Sequence, residues 1–178
     1  MIVLGVSTDD EHRFSKVPRD VVTLVEDHGV LGDAHAGASV QHRSRVARDA
    51  TAPNLRQVHL VHVELFDEAR AQGYDLAQGD LGENVLTSGV DLLDLPTGTR
   101  LLLGDDAIVR LTGLRNPCRQ IDAFRSGLLK VAVGRDATGG VVRKAGVMSV
   151  VERGGDVRPG DGIGVELPDG PFRRLEPV

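Results

Sequence analysis

Cys118 is the only cysteine among 178 residues, and it lies in the segment Gly113-Leu114-Arg115-Asn116-Pro117-Cys118-Arg119-Gln120-Ile121-Asp122. A free cysteine is most often a small buried hydrophobe. Asn116, Pro117, Arg119 and Gln120 are poor company for a deep core position. Pro117 ahead of the Ile121/Phe124 spacing suits the first turn of a helix. That puts Cys118 at a helix N-terminus between Arg115 and Arg119, with positive potential at the sulfur, which is the setting of reactive cysteines. A thiolate there is chemically a nucleophile, a sulfur acceptor or a soft metal ligand.

Three further segments carry polar chemistry. In Asp80-Leu81-Gly82-Glu83-Asn84-Val85, Gly82 permits a close backbone approach. Glu83 and Asn84 offer an acceptor and a mixed donor–acceptor to a polar heterocycle. The plain alternative is a β-bulge at Gly82 followed by a solvated strand start. In Gly32-Asp33-Ala34-His35-Ala36-Gly37, Asp33 and His35 could join His59 or His62 around a metal, but the spacing matches no zinc signature. Finally, His42-Arg43-Ser44-Arg45, Arg56, Arg115, Arg119 and Arg143-Lys144 are basic groups that could converge on a phosphate. Taken singly, each reads as a solvated surface residue, as do His12 and His28.

The elements that must position these residues are mostly short strands. Apolar runs predict strands at 2–7, 20–25, 57–61, 83–87, 99–103, 107–112 and 163–167, with a strand-pair region at 141–151. Gly104-Asp105-Asp106 reads as a hairpin turn between two of them. Arg158-Pro159-Gly160-Asp161 reads as a turn into the last. Residues 62–72 change period: His62, Leu65, Phe66 and Ala69 fall on one helical face, and Gly73 stops that helix in the usual position. Ile121, Phe124 and Leu128 share helical spacing after Asn116-Pro117. Gln41 to Asn54 reads as a long loop with some helical turn.

Composition narrows the class. Roughly eight strands with tight turns and two or three helices predict a single, mainly β domain over 1–178, closed or half-closed like a barrel. Twenty-five valines and 22 glycines fit that reading, although a base-composition bias also enriches them, as it does the 18 arginines against three lysines. A net charge of −5 and 3% aromatic residues argue against a nucleic-acid binder. No apolar run approaches membrane-helix length. With one cysteine and no leader-like N-terminus, a cytoplasmic location is expected.

The order Gly32-Asp33-X-His35-X-Gly37, Gly82-Glu83-Asn84, Gly113-X-Arg115-X-Pro117-Cys118 and Arg158-Pro159-Gly160-Asp161 resembles the MOSC domain, over about residues 28–167. This family is named for the C-terminal domain of molybdenum cofactor sulfurase. The resemblance implies a β-barrel-like fold, a molybdopterin-type molybdenum cofactor and one functional cysteine. Here that cysteine is Cys118, as metal ligand or sulfur carrier. It further implies that Arg115 and Arg119 serve the cofactor phosphate and that Gly82, Glu83, Asn84, Asn116, Asp33, His35 and Lys144 line the binding site.

The implied reaction is reduction of N-hydroxylated compounds or sulfur transfer to metal clusters. The chain shows no aminotransferase-like domain, no Cys-rich ferredoxin segment and no second barrel. A separate electron or sulfur donor protein is therefore an expected partner, besides a small-molecule substrate. Two other readings stand beside this one. The first is a metal-free cysteine-nucleophile enzyme on a phosphorylated or acyl substrate, with His35 as base. The second is a non-catalytic ligand-binding barrel with Cys118 packed in its core.

Overall fold

The computed structural model describes residues 1–41, 46–47 and 49–178. His42, Arg43 and Arg45, candidates for a phosphate, lie outside the described residues, as does part of the loop expected at 41–54.

The chain is mainly β. An eight-stranded sheet is built from β13 (Ile163–Glu166), β7 (Arg100–Leu103), β8 (Ala107–Leu114), β11 (Val147–Arg153), β5 (Val58–His62), β6 (Val85–Ser88), β1 (Ile2–Thr8) and β2 (Val17–Arg19), in that order. Every pairing is antiparallel except β5 with β6. A parallel pair needs a crossover, and helix α1 (Glu64–Ala71) supplies it. β3 (Val22–Val25) pairs with β4 (Gly29–Val30) and with β12 (Gly155–Val157) in a second sheet. β9 (Val133–Arg135) and β10 (Val141–Arg143) form a two-stranded ribbon.

The expectation of a barrel needs correction. β13 and β2 are edges of the large sheet, and no ladder joins them. One isolated bridge, Ile2 to Gly162, ties β1 to the chain entering β13. The strand expected at 83–87 starts at Val85, which leaves Glu83 and Asn84 in the preceding loop, and that expected at 20–25 starts at Val22. The strands missed by the sequence reading are all two or three residues long, too short for a period to show.

Two apolar clusters flank the sheet. Val3, Leu60, Leu101, Leu111 and Val147 lie in one; Val61, Leu65, Phe66, Leu81 and Ile121 lie in the other. β5 is therefore buried on both faces, which explains its continuous apolar run. The second cluster sits under α1, α2 (Arg119–Phe124) and α3 (Leu129–Ala132). α1 buries Leu65, Phe66 and Ala69 and ends in a Schellman turn. There Tyr74 N–H donates to Ala69 O, Gly73 N–H donates to Arg70 O, and Gly73 has φ +86°. β7 and β8 join through Gly104 at φ +64°, as the hairpin signal required.

Candidate functional site

A cavity of about 380 Å³ opens at one end of the large sheet. Its floor is His59 on β5 and Met148 on β11, which face each other in the ladder. One wall is the loop between β1 and β2, which contributes His12, Arg13, Phe14 and Lys16. Gly82, Asn84 and Arg115 form another wall, with His35, Arg56 and Gln120 completing the lining. The ionisable lining groups are thus three arginines, one lysine and three histidines. Among the described residues, no carboxylate lines the cavity. Carboxylates outside the lining balance part of this charge: Arg13 pairs with Asp9 and Glu11, and Lys16 with Asp33.

Two glycines bring the walls together. Gly82 has φ +74°, and a Cβ there would lie 2.4 Å from the carbonyl oxygen of Phe14. Gly79 has φ +86°, and its Cβ would lie 2.1 Å from the carbonyl oxygen of Lys16. Lys16 N–H in turn donates to Gly79 O at 2.8 Å. The close approach read at Gly82 is therefore made by residue 14 of the chain itself.

Glu83 is fully buried. Its carboxyl accepts from Gly79 N–H at 2.5 Å and Leu81 N–H at 3.1 Å, closing its own loop. Burial pushes its pKa up to about 7, against the opposing pull of those backbone donors and of Arg115. Asn84 lines the cavity with its amide already engaged. Oδ1 accepts from His59 N–H at 3.1 Å, while Nδ2 donates to Ser7 O at 3.2 Å and to Asp33 Oδ2 at 2.9 Å. Asp33 forms a buried ion pair with Lys16. His35, Lys16 and the other donors hold the Asp33 carboxyl well below the usual range, in spite of burial. His59 is buried with Nε2 2.8 Å from Ala145 O and Nδ1 3.2 Å from Gly82 O. Burial, then Arg115, pushes its pKa well down, so the ring is neutral and only one of its two nitrogens donates to its carbonyl partner.

Arg115 is half-buried. Its Nη1 donates to Leu81 O at 2.5 Å and its guanidinium lies over the Phe14 ring, 5.4 Å from the centroid. Burial lowers its pKa, and the charges of Cys118 and Glu83 work the other way. Cys118 caps α2 in an extended conformation and is half-buried, outside both core clusters. Its thiol donates to Oε1 of Gln120, a lining residue, at 3.4 Å, and Cys118 itself is not part of the lining.

The structure thus brings Gly82, Asn84, His35 and Arg115 together at the cavity, with Asp33 and Glu83 outside its lining and Cys118 in contact with the lining residue Gln120. The other candidates stand elsewhere. Lys144 pairs with Glu68 of α1. Asn116 accepts from Arg143 at 3.3 Å. Arg119 is exposed on α2, and His62 sits at the β5–α1 junction. Arg158 N–H donates to Asp161 Oδ2 at 2.7 Å, which makes that segment a turn into β13. Sequence reasoning missed His12, Arg13, Phe14 and Lys16 as lining residues. The one signal for Lys16 was its type, one of three lysines against 18 arginines.

A model of the MOSC domain family matches residues 36–164. The chain belongs to that family. Among solved structures, the YuaD protein from Bacillus subtilis is similar with a TM-score of 0.77 at 26% identity, over 94% of this chain and 96% of that one. YiiM from Escherichia coli is similar with a TM-score of 0.61 at 18% identity, over 97% of this chain and 73% of that one. YiiM from Geobacillus stearothermophilus gives 0.57 at 18% identity, over 93% and 72%. At these lower identities the likeness to YiiM is one of fold. No curated protein matches the sequence. The matched span of the MOSC chain holds Arg56, His59, Gly82, Asn84, Arg115 and Cys118, whereas the loop of His12 to Lys16 and the Asp33/His35 pair precede it.

Proposed function

We propose that this MOSC protein binds a molybdopterin-type molybdenum cofactor in the basic cavity, with Cys118 facing the metal as ligand or sulfur carrier. The observation that carries this reading is the donor set: Arg13, Arg56, Arg115 and Lys16 line one cavity, and the chain's single cysteine bonds to Gln120 of the same lining. These residues fit such a group. A phosphate calls for arginine and lysine donors, and a sulfur-rich molybdenum centre suits a soft thiolate. When bound, the cofactor supplies a metal that exchanges electrons and oxygen or sulfur atoms with a substrate.

The chain's own residues bind and orient. Arg115 is fixed by Leu81 O and the Phe14 ring, so its remaining N–H groups present a prearranged cationic fork. Lys16 adds positive charge that Asp33 balances. Asn84 and Glu83 hold the loop that carries the wall and give no donor to a ligand. Gln120 places the Cys118 thiol. The reaction we favour is removal of oxygen from N-hydroxylated compounds. Sulfur transfer to metal clusters is the alternative at the same thiol, and in either case a separate donor protein supplies electrons or sulfur. The cysteine-nucleophile reading is less well supported, because the thiol donates to Gln120 and not to a histidine base.

X-ray absorption at the molybdenum edge tests Cys118. After expression with a cofactor supply, the native protein should show one more sulfur neighbour than Cys118→Ala, or a persulfide on Cys118 by mass spectrometry. The same sulfur count in both proteins together with an unmodified thiol would refute the role.

A further inference from the structure

Residues 113–146, the segment that carries Cys118, hold seven basic side chains and two acidic ones, in a chain of 21 basic and 26 acidic. They fold as one layer. α2 packs on α3, β9 runs straight on from α3, β10 pairs with β9, and Lys144 N–H donates to Ala132 O at 2.8 Å. The layer seats Ile121, Leu128, Val131 and Ala132 in the core cluster beneath it. Arg119, Arg125, Lys130 and Arg135 are exposed on it. Arg143 is half-buried, and its Nε donates to Oδ1 of Asn116, two residues before Cys118. Among the described residues, Lys144 is the one cation of the segment in an ion pair, with Glu68. Elsewhere Arg13, Lys16, Arg70, Arg100, Arg110 and Arg158 all pair with carboxylates. The two acids of the segment bond to its own backbone: Asp122 accepts from Leu129 N–H at 2.9 Å, and Asp136 from the N–H groups of Thr138 and Gly140 at 2.8 Å each.

α2 joins this layer to the cavity. Cys118 caps it, Gln120 lines the cavity, and the Phe124 ring lies 5.5 Å from that of Phe14, another lining residue. Electron-transfer partners meet through small contacts, and opposite charge on the two faces speeds and orients their encounter. We propose that the basic layer of α2, α3, β9 and β10 docks the electron-donor protein, whose own face around its redox centre is acidic. The proposal rests on the reduction put forward above, and it sets the donor at the Cys118 end of the cavity. In R–NHOH + 2 e⁻ + 2 H⁺ → R–NH₂ + H₂O, the N–O bond breaks and the oxygen leaves as water. Both protons come from solvent, and the docked donor is oxidised by two electrons, in one encounter or in two. Arg119, Arg125, Lys130, Arg135 and Arg143 attract such a donor and repel a basic one.

Backbone ¹H–¹⁵N spectra of the purified protein, titrated at low salt with a small acidic flavodoxin and with an acidic two-iron ferredoxin, read the surface with or without cofactor. At least one donor should shift the amides of residues 118–143 ahead of the rest. The shifts should vanish in a variant carrying Arg125→Gln, Lys130→Gln and Arg135→Gln. Shifts centred on another face, none with either donor, or stronger ones with a single-stranded oligonucleotide overturn the proposal. In the molybdenum-loaded protein with an N-hydroxylated substrate, the variant should lower kcat/KM for the donor about 10-fold or more and flatten its decline with salt. Its rate with reduced methyl viologen, a small mediator that needs no docking, should be unchanged. Equal donor kcat/KM in both proteins overturns the docking surface and leaves the reduction standing. A native protein that takes up no molybdenum and turns over with neither reductant refutes the reduction, and the electron donor as occupant with it.

Discussion

Replacing Glu83 with glutamine tests the physical account of the cavity's back wall. The carboxyl is fully buried, and its folded pKa is raised from 4.5 to about 7. An acid whose folded pKa is raised binds its proton more tightly in the folded state. Its contribution to stability is therefore complete below about pH 4.5, falls as pH rises through 4.5 to 7, and stays low above. At about 1.36 kcal/mol per pK unit, the change amounts to about 3 kcal/mol. Glutamine resembles the protonated acid and has no such dependence. It keeps one acceptor for Gly79 or Leu81 and sets an NH₂ against the other N–H, at a fixed cost of about 1–3 kcal/mol.

Urea titrations of native protein and Glu83→Gln between about pH 4.5 and about pH 8 supply the comparison. His59, whose pKa is depressed, loses its stabilising contribution as pH falls below 6.5, and His62 acts in the same direction. Both are present in both proteins and cancel in the difference. The native protein should be the more stable at the acid end. Its advantage should shrink by about 3 kcal/mol toward pH 8 and can change sign. A stability difference that stays constant across this range would refute the assignment of Glu83 as a buried carboxyl forced to ionise.

Three further outcomes follow from the geometry. Gly82→Ala should cost at least about 2 kcal/mol in urea, from left-handed strain plus the collision with Phe14 O, whereas Gly139→Ala, at φ +86° with nothing within 4 Å, should cost only about 1–2 kcal/mol. Equal losses at the two sites would contradict the packing of residues 14–16 on this loop. Lys16→Met should cost about 3–5 kcal/mol by leaving the buried Asp33 carboxylate without its cation, and the double variant with Asp33→Asn should regain part of it; a strictly additive pair would deny the coupling. Arg115→Ala should weaken pyrophosphate binding about 10-fold by titration calorimetry, and the native affinity should fall with added salt; salt-insensitive binding would speak against an anion site.

Much of the frame was legible because its signals are local. The α1 period with Gly73, the Gly104 hairpin, and Pro117 ahead of Ile121 each specify an element from a handful of neighbouring residues. The loop of His12 to Lys16 has no such signal. It joins the cavity through Gly79 and Gly82, more than sixty residues away in sequence, and contacts of that range leave no local pattern. Glu83 and Asn84 were read as groups for a ligand because their types fit one. A residue type does not say which way a side chain turns after a left-handed glycine, and here both turn inward to backbone amides and to Asp33. The grouping of basic residues failed for a similar reason. Lys144 pairs with Glu68 and Arg143 with Asn116, partners that lie far from them in sequence. Barrel closure depends on whether the first and last strands meet, and here they meet through one bridge, Ile2 to Gly162, and a hydrogen bond from Gly160 N–H to Val3 O.

The central claim is that the basic cavity holds a molybdenum cofactor. Its most direct test is metal and pterin analysis of protein expressed with a cofactor supply and freshly purified, for the native chain and for a variant carrying Arg115→Ala and Lys16→Met with Asp33→Asn. The account predicts molybdenum and pterin together in the native protein and a marked loss of both in a variant that remains folded. Equal, negligible molybdenum in both would contradict it.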